Sequence, residues 1–351
     1  MMYSNDTWQI FFKKAILPLF CLLAGCSHPD IPPAVPTFFY WKNALSLADS
    51  ERAILDSLGV KVLYIKVLDI GRSPETGRIV PLAKTRLPDS TAYGLIPVIF
   101  LTNQTFVNIS AAEMAELSTH IAQHLRTFSH LPALQLDCDW TASTRAAYFL
   151  FLKQMRERLP EGTALSATIR LHQYKLPAQT GVPPVDRGML MFYNTGDLEN
   201  VRGNSIFDPR DAQKYVAGAG RYPLPLDMAL PIFSWTLVYR EGEFWKIIRE
   251  ADLGELRDTA YFQAIFTPKN GELPQFQVKK ATFFHGHYLR PTDVLRYESL
   301  SADQLREAAR LAARVELARD AQVVFFDLDS ATLARYPAPL FREINDLVRH
   351  R

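Results

Sequence analysis

Apolar runs and amphipathic stretches alternate along most of this chain. "TFFYW" (37–41), "VKVLYIKVLDI" (60–70) and "GLIPVIFLTN" (94–103) are apolar on both faces. Runs of this kind suit strands buried on both sides of a parallel sheet. "SAAEMAELSTHIAQHLRTF" (110–128) changes period: Met114, Leu117, Ile121 and Leu125 form a helical stripe behind a Ser110–Glu113 capping box. "ALQLDCDWTAST" (133–144) returns to a strand, and "STRAAYFLFLKQMRERL" (143–159) is a helix. "ALSATIRLHQY" (164–174) and "RGMLMFYNTG" (187–196) are strand-like, and "DPRDAQKYVAGAG" (208–220) is a short helix. "LPLDMALPIFSWTLVYR" (224–240) supplies a seventh strand centred on "ALPIFSWTLV". The interval 241–300 breaks the rhythm and reads as an insertion with hairpin character. A capped helix (301–317) and a last strand (321–330) follow.

About eight strands with helices or irregular crossovers between them predict an α/β fold, a (β/α)8 TIM barrel over residues 37–351. An open doubly wound sheet is the alternative. No Gly-rich phosphate fingerprint follows an early strand, so a dinucleotide fold lacks its usual support and no cofactor is implied. The net charge of +2 and the absence of a clustered basic stripe argue against a nucleic-acid partner.

The first residues read differently. Lys13 and Lys14 precede "AILPLFCLLAGC", an apolar run too short to cross a bilayer comfortably. Residues 1–25 therefore read as an export signal. "LLAGC" resembles the lipobox of bacterial lipoproteins, which implies cleavage before Cys26 and lipidation of that residue. Ser27 at the next position resembles the outer-membrane sorting choice, which implies a lipoprotein facing the periplasm. The Pro-rich stretch at 26–36 is then a tether between lipid and barrel. Of the three cysteines, Cys138 alone would remain as a thiol, a small buried hydrophobe.

In a barrel, functional groups come from the C-terminal ends of several strands. The candidates are Lys66 and Asp69 on the second strand and Asn103 after the third. Asp137 and Asp139 end the fourth; Arg170, His172 and Gln173 end the fifth. Tyr193, Asn194 and Asp197 end the sixth, Trp235 lies on the seventh, and Asp327 and Asp329 end the eighth. Strand alternation puts Leu134, Leu136, Cys138 and Trp140 under the helices, and turns Gln135, Asp137, Asp139 and Thr141 toward the mouth. Two close carboxylates tend to share a proton, which could tune an acid or base. The alternative is a structural acid bonded to loop amides or to Arg170. Asp327 and Asp329 repeat the D-x-D spacing, and with His172 they could contribute to a metal site, although no motif of standard ligand spacing occurs. "HGH" (285–287) puts two imidazoles on one strand face, a weak zinc signal. Tyr193 and Trp235 could be sugar platforms or core.

"LQLDCDWT" resembles the fourth-strand motif of glycoside hydrolase family 18, the chitinase-like barrels, whose pattern is D-x-x-D-x-D-x-E. Asp137 and Asp139 match its last two aspartates, Leu134 falls on the first, and Thr141 falls on the catalytic Glu. Met191 and Tyr193 match the M-x-Y-D pattern of the sixth strand, with Asn194 in place of Asp. The resemblance implies a glycan cleft with Asp137 and Asp139 in the catalytic position; the strand-end candidates Arg170, His172, Tyr193, Asn194, Trp235, Asp327 and Asp329 would then surround the ligand. Threonine has no acidic proton near neutral pH, so the family's acid is absent at its usual position. The expectation is a lipid-anchored protein that binds a polysaccharide or peptidoglycan at the bacterial envelope. The alternatives are an active glycoside hydrolase using Asp139 or another mouth acid such as Asp197, a metal-assisted hydrolase, or an envelope scaffold.

Overall fold

The computed structural model describes residues 35–200, 202–249, 251–266 and 273–349. The predicted signal segment, Cys26 and most of the tether lie outside the described residues.

Eight parallel strands close into a barrel. In chain order they are Thr37–Tyr40, Val62–Arg72, Gly94–Leu101, Ala133–Asp137, Ala164–Arg170, Arg187–Met191, Leu226–Pro231 and Val323–Phe326. Each pairs with its sequence neighbours, and the first strand closes the ring by pairing with both the second and the eighth. The apolar runs are explained by this closure. Phe38, Ile65, Val98, Leu134, Leu165, Leu190, Leu230 and Phe325 are all completely buried.

Helices cover the outside. Ala111–Leu125 begins at Ser110, whose Oγ accepts from the Glu113 amide at 3.2 Å while Glu113 returns a carboxylate oxygen to the Ser110 amide at 2.8 Å. Met114, Leu117, Ile121 and Leu125 are buried, as their spacing predicts. Arg145–Arg158, Pro209–Val216 and Ala302–Ala312 also follow the sequence rhythm. Asp49–Leu58, after the first strand, and Ala338–Arg349, after the last, complete the outer layer. Between the second and third strands there is no helix. Ile79–Lys84 instead folds back antiparallel to the second strand.

Two boundaries differ from the sequence expectation. The fifth strand stops at Arg170 because the Gln173 side chain accepts the Arg170 amide proton at 2.8 Å and starts a short helix, Leu171–Lys175. His172 and Gln173 are therefore on that helix. The seventh strand ends at Pro231, and Trp235 is not on it. The amides of Ile232 and Phe233 both donate to the Phe326 carbonyl, at 2.7 and 3.2 Å, as the chain leaves the barrel. Trp235–Arg240 then opens the insertion.

The insertion is a five-stranded antiparallel sheet in the order Glu243–Ile248, Trp235–Arg240, Val294–Glu298, Gln275–Val278, Phe262–Phe266, with a separate hairpin, Thr282–Phe284 and His287–Leu289. It begins at Trp235, earlier than residue 241. Val238, Phe262, Phe276, Leu289 and Leu295 form its own small core. A fully buried ion pair, Arg296 with Glu298, secures it to the barrel loops. Glu298 accepts from Trp235 Nε1 at 2.8 Å and from the Ser205 amide at 3.0 Å, and Arg296 donates to the Asn200 carbonyl.

Candidate functional site

The fourth strand ends at Asp137, so the inward row of the D-x-D stretch splits in two. Gln135 and Asp137 lie inside the barrel, whereas Asp139 and Thr141 are in the loop beyond and exposed. Leu134, Leu136, Cys138 and Trp140 are buried, in line with the alternation. Trp140 donates its indole N–H to the Thr180 carbonyl at 3.2 Å and stacks on Tyr148. It packs here while also lining the cleft above it.

Asp137 accepts a hydrogen bond from Thr168 Oγ1 at 2.7 Å. Burial pushes its pKa up to about 6; the Arg170 guanidinium works against that shift, and the Asp139 charge adds to it. The acid pair thus behaves less as a proton-sharing dyad than as one desolvated carboxyl beneath an ion pair. Nearby, Lys66 Nζ donates to Asp69 at 2.7 Å, leaving the other Asp69 oxygen buried without a hydrogen-bond partner.

Asp139 is 51% exposed and bound to Arg170 through both oxygens. Arg170 Nη2 donates at 2.7 Å and Nε donates to the other oxygen. Burial alone would lower the Arg170 pKa, but the Asp139 carboxylate outweighs it and raises it. This bidentate fork fixes both side chains. It also engages each oxygen of the carboxylate that would otherwise orient or protonate a ligand.

Thr141 is held by its own loop. Its hydroxyl lies 2.9 Å from Ser143 Oγ and 3.3 Å from Thr144 Oγ1, and its amide donates to Thr144 Oγ1 at 3.0 Å. Thr144 in turn donates to Asn103, which draws the third-strand end to this loop.

A cleft of about 630 Å³ opens over these residues. Asp139, Thr141, Arg170, His172, Tyr193 and Asn194 line it, together with Gln179, Thr180 and Tyr215. His172 is exposed in it; partial burial and the Arg170 charge lower its pKa, so the imidazole favours the neutral form. Tyr193 is buried, stacks on Phe326 and packs edge-on against Phe233. Asn194 takes a left-handed conformation at φ 56°, which Asn tolerates better than most residues. Its amide donates to the Ile206 carbonyl at 2.7 Å and turns the side chain outward.

The other candidates lie elsewhere. Trp235 is buried at the junction with the insertion, where Glu298 holds its indole N–H. Asp197 caps a local turn by accepting the Glu199 amide at 3.0 Å. Asp329 accepts from the Ala331 and Thr332 amides at 2.9 and 3.4 Å and pairs with Lys42 at 2.9 Å. Burial opposes its charge, yet Lys42 and the two amides hold its pKa below the ordinary value. It is a helix cap. Asp327 remains desolvated at the eighth-strand end, and burial together with the Asp329 charge pushes its pKa up to about 6. Among the described residues no three His, Cys, Asp or Glu side chains come together as a metal-ligand set. The "HGH" histidines also diverge. His285 and Gly286 form the hairpin turn, His285 meets Glu255 at 3.0 Å, and His287 meets Lys246 at 3.2 Å.

Sequence reading overlooked Tyr215, Gln179 and Thr180. Tyr215 is the next-to-last residue of the Pro209–Val216 helix, and a lone tyrosine there carried no distinguishing sequence signal. Gln179 and Thr180 lie in a second short helix, Pro177–Thr180, which the expected strand over 164–174 left no reason to look for.

No family model matches this chain, and no curated protein matches it. Among solved structures it is similar to a chitinase from Bacteroides thetaiotaomicron, with a TM-score of 0.52 and 10% identity over 91% of this chain and 99% of that one. It is also similar to the Bacillus megaterium QM B1551 spore cortex-lytic enzyme SleL, with a TM-score of 0.51 and 14% identity over 89% of this chain and 73% of that one. At these identities the likeness shows the fold alone, a (β/α)8 barrel.

Proposed function

We propose that this protein is a lipid-anchored, glycan-binding barrel of the bacterial envelope whose cleft binds without hydrolysing. The observation that carries the reading is the Asp139–Arg170 fork beside Thr141. Glycoside cleavage needs a carboxylic acid within reach of the leaving oxygen. Here one exposed carboxylate is bound through both oxygens to a guanidinium, and the other acid, Asp137, is buried beneath it. What remains suits recognition: a mainly apolar cleft lined by Tyr193, with a few polar groups, among them the side-chain amide of Asn194 and the neutral imidazole of His172. The comparisons support a glycan as the ligand class, since the barrels it resembles are a chitinase and a spore cortex-lytic enzyme. The proposed anchor at Cys26 would hold the protein on the outer membrane, facing the periplasm and within reach of peptidoglycan.

The test uses the full chain with peptidoglycan sacculi and chitin oligosaccharides, scoring retention and released reducing ends separately. The expected result is retention without release. Release by the native protein that disappears in Asp139→Asn would replace this reading with hydrolysis, and no retention on any glycan would remove the glycan ligand altogether. Anchoring is tested by palmitate labelling in a Gram-negative host: native chain should incorporate label and fractionate with outer membrane, and Cys26→Ser should do neither.

A further inference from the structure

The missing helix between the second and third barrel strands leaves a groove of about 380 Å³ on the outside of the barrel. Leu68 and Ile70 of the second strand and Leu117 and Ile121 of the Ala111–Leu125 helix are buried along it. Ile79, Val80 and Pro81 of the returning strand form its other wall. It shares no lining residue with the cleft.

The groove is long and its charges differ by end. Its helical wall runs from Glu113 to His124, a rise of about 16 Å, and its strand wall from Arg78 to Lys84, about 20 Å. Arg72 ties the first end together, donating to Glu113 at 3.0 Å and to the Gly77 carbonyl at 2.8 Å. The charges there balance, with Arg72 and Arg78 against Glu113 and Glu116. Glu116 stands about 12 Å before His124 along the helix. At the second end is Lys84. Partial burial and then the Lys84 charge lower the pKa of His124, so its imidazole favours the neutral form. Both acids of the lining belong to the first half, and Lys84 has no carboxylate partner among the described residues. Asp69, which is paired with the neighbouring Ala83 across the strands, is engaged by Lys66 at 2.7 Å.

We infer that this groove binds an unbranched fatty carboxylate, its chain along the apolar walls and its head between Lys84 and the His124 imidazole. A carboxylate accepts from an ammonium and from a neutral imidazole N–H, and both donors are at the one end with uncompensated positive charge. The dimensions exclude a docked helix in place of the missing one. A helix about 10 Å across would need roughly three times this volume over the same length. A sugar fits no better, because no Phe, Tyr or Trp lines the groove to stack on its ring. The inference goes beyond the cleft and does not depend on it.

The experiment titrates the full chain with dodecanoate below its micelle-forming concentration and follows the imidazole signals by proton–nitrogen NMR. The His124 signal, identified by its loss in His124→Gln, should move and saturate. The His172 signal of the cleft, identified in the same way in His172→Gln, should stay in place. Dodecanol has the same chain without the charge and should bind about tenfold more weakly. Lys84→Gln should weaken dodecanoate binding about tenfold, and Ile79→Ser about fivefold. Dodecanoate that leaves the His124 signal unmoved overturns the inference. So does equal binding by Lys84→Gln and the native chain, or dodecanol binding as tightly as dodecanoate. Glycan retention is measured separately on the same preparations, so failure of the cleft reading and failure of this one are separable.

Discussion

Asp137 is the residue whose environment makes the firmest demands. Its pKa of about 6 in the folded barrel stands above the ordinary carboxylate value because burial penalises the charge. Between about pH 4 and pH 6 the unfolded chain surrenders this proton before the folded one does. Stability therefore falls as pH rises through that window, by at most about 3 kcal/mol for a shift of about two units. Asp137→Asn retains an oxygen acceptor for Thr168 and carries no titratable proton. Urea unfolding should show the variant gaining on the native protein between pH 4.5 and pH 7.5, and an unchanged gap would mean that Asp137 does not hold its proton in the fold. Thr141 gives a second residue-scale prediction. Thr141→Glu restores a carboxyl at the position where the chitinase-like pattern has its acid. Reducing-end release from chitin oligosaccharides should rise above the native background in Thr141→Glu and not in Thr141→Gln. Equal release from both would show that a carboxyl at position 141 does not by itself supply hydrolysis.

At the scale of elements, the loop after the sixth strand frames the cleft and depends on one glycine. A Cβ on Gly196 would lie 2.3 Å from the Asn204 carbonyl oxygen, a backbone atom that cannot swing aside. Gly196→Ala should displace the loop that carries Asn194, reducing glycan retention and lowering the thermal midpoint together; retention with an unchanged midpoint would contradict this. Strands and long helices were legible from the sequence because burial on two faces or along one stripe leaves a period in the residues. The end of the seventh strand was not. Residues 228–239 are apolar apart from Ser234 and Thr236, although the chain changes sheets at Ile232, where two amides turn to the same Phe326 carbonyl. The Asp139–Arg170 fork was only half legible. Local pattern offers Arg170 as a possible partner, but the two residues are 31 positions apart and their pairing depends on neighbouring strands ending at matched heights. Asp329 did carry a local signal, an Asp before "SATL", the ordinary sequence of a helix cap.

The whole molecule is a barrel with a sheet inserted before its last helix–strand unit, and a buried ion pair on one inserted strand bonds the barrel loop at Asn200 and Ser205. Arg296 and Glu298 are both fully buried. Removing one partner of such a pair strands the other charge away from water and costs about 3–5 kcal/mol. Glu298→Gln should therefore unfold at a much lower urea midpoint, with the barrel and insertion signals moving together. Independent transitions would show that the insertion is energetically separate.

The Glu298 contacts also limit how this protein can be dissected. Deleting the inserted sheet would remove Trp235, Arg296 and Glu298 at once, and the loss would reach the Ser205 amide, the Asn200 carbonyl and the Asn204 amide group, which donates to the Ser299 carbonyl at 3.0 Å. Those groups belong to the loop beside the cleft. A truncated protein that no longer retained glycan would report a damaged loop as readily as a missing sheet. Point substitutions on the separate hairpin leave these contacts intact, so they are the cleaner instrument for assigning work to one region or the other.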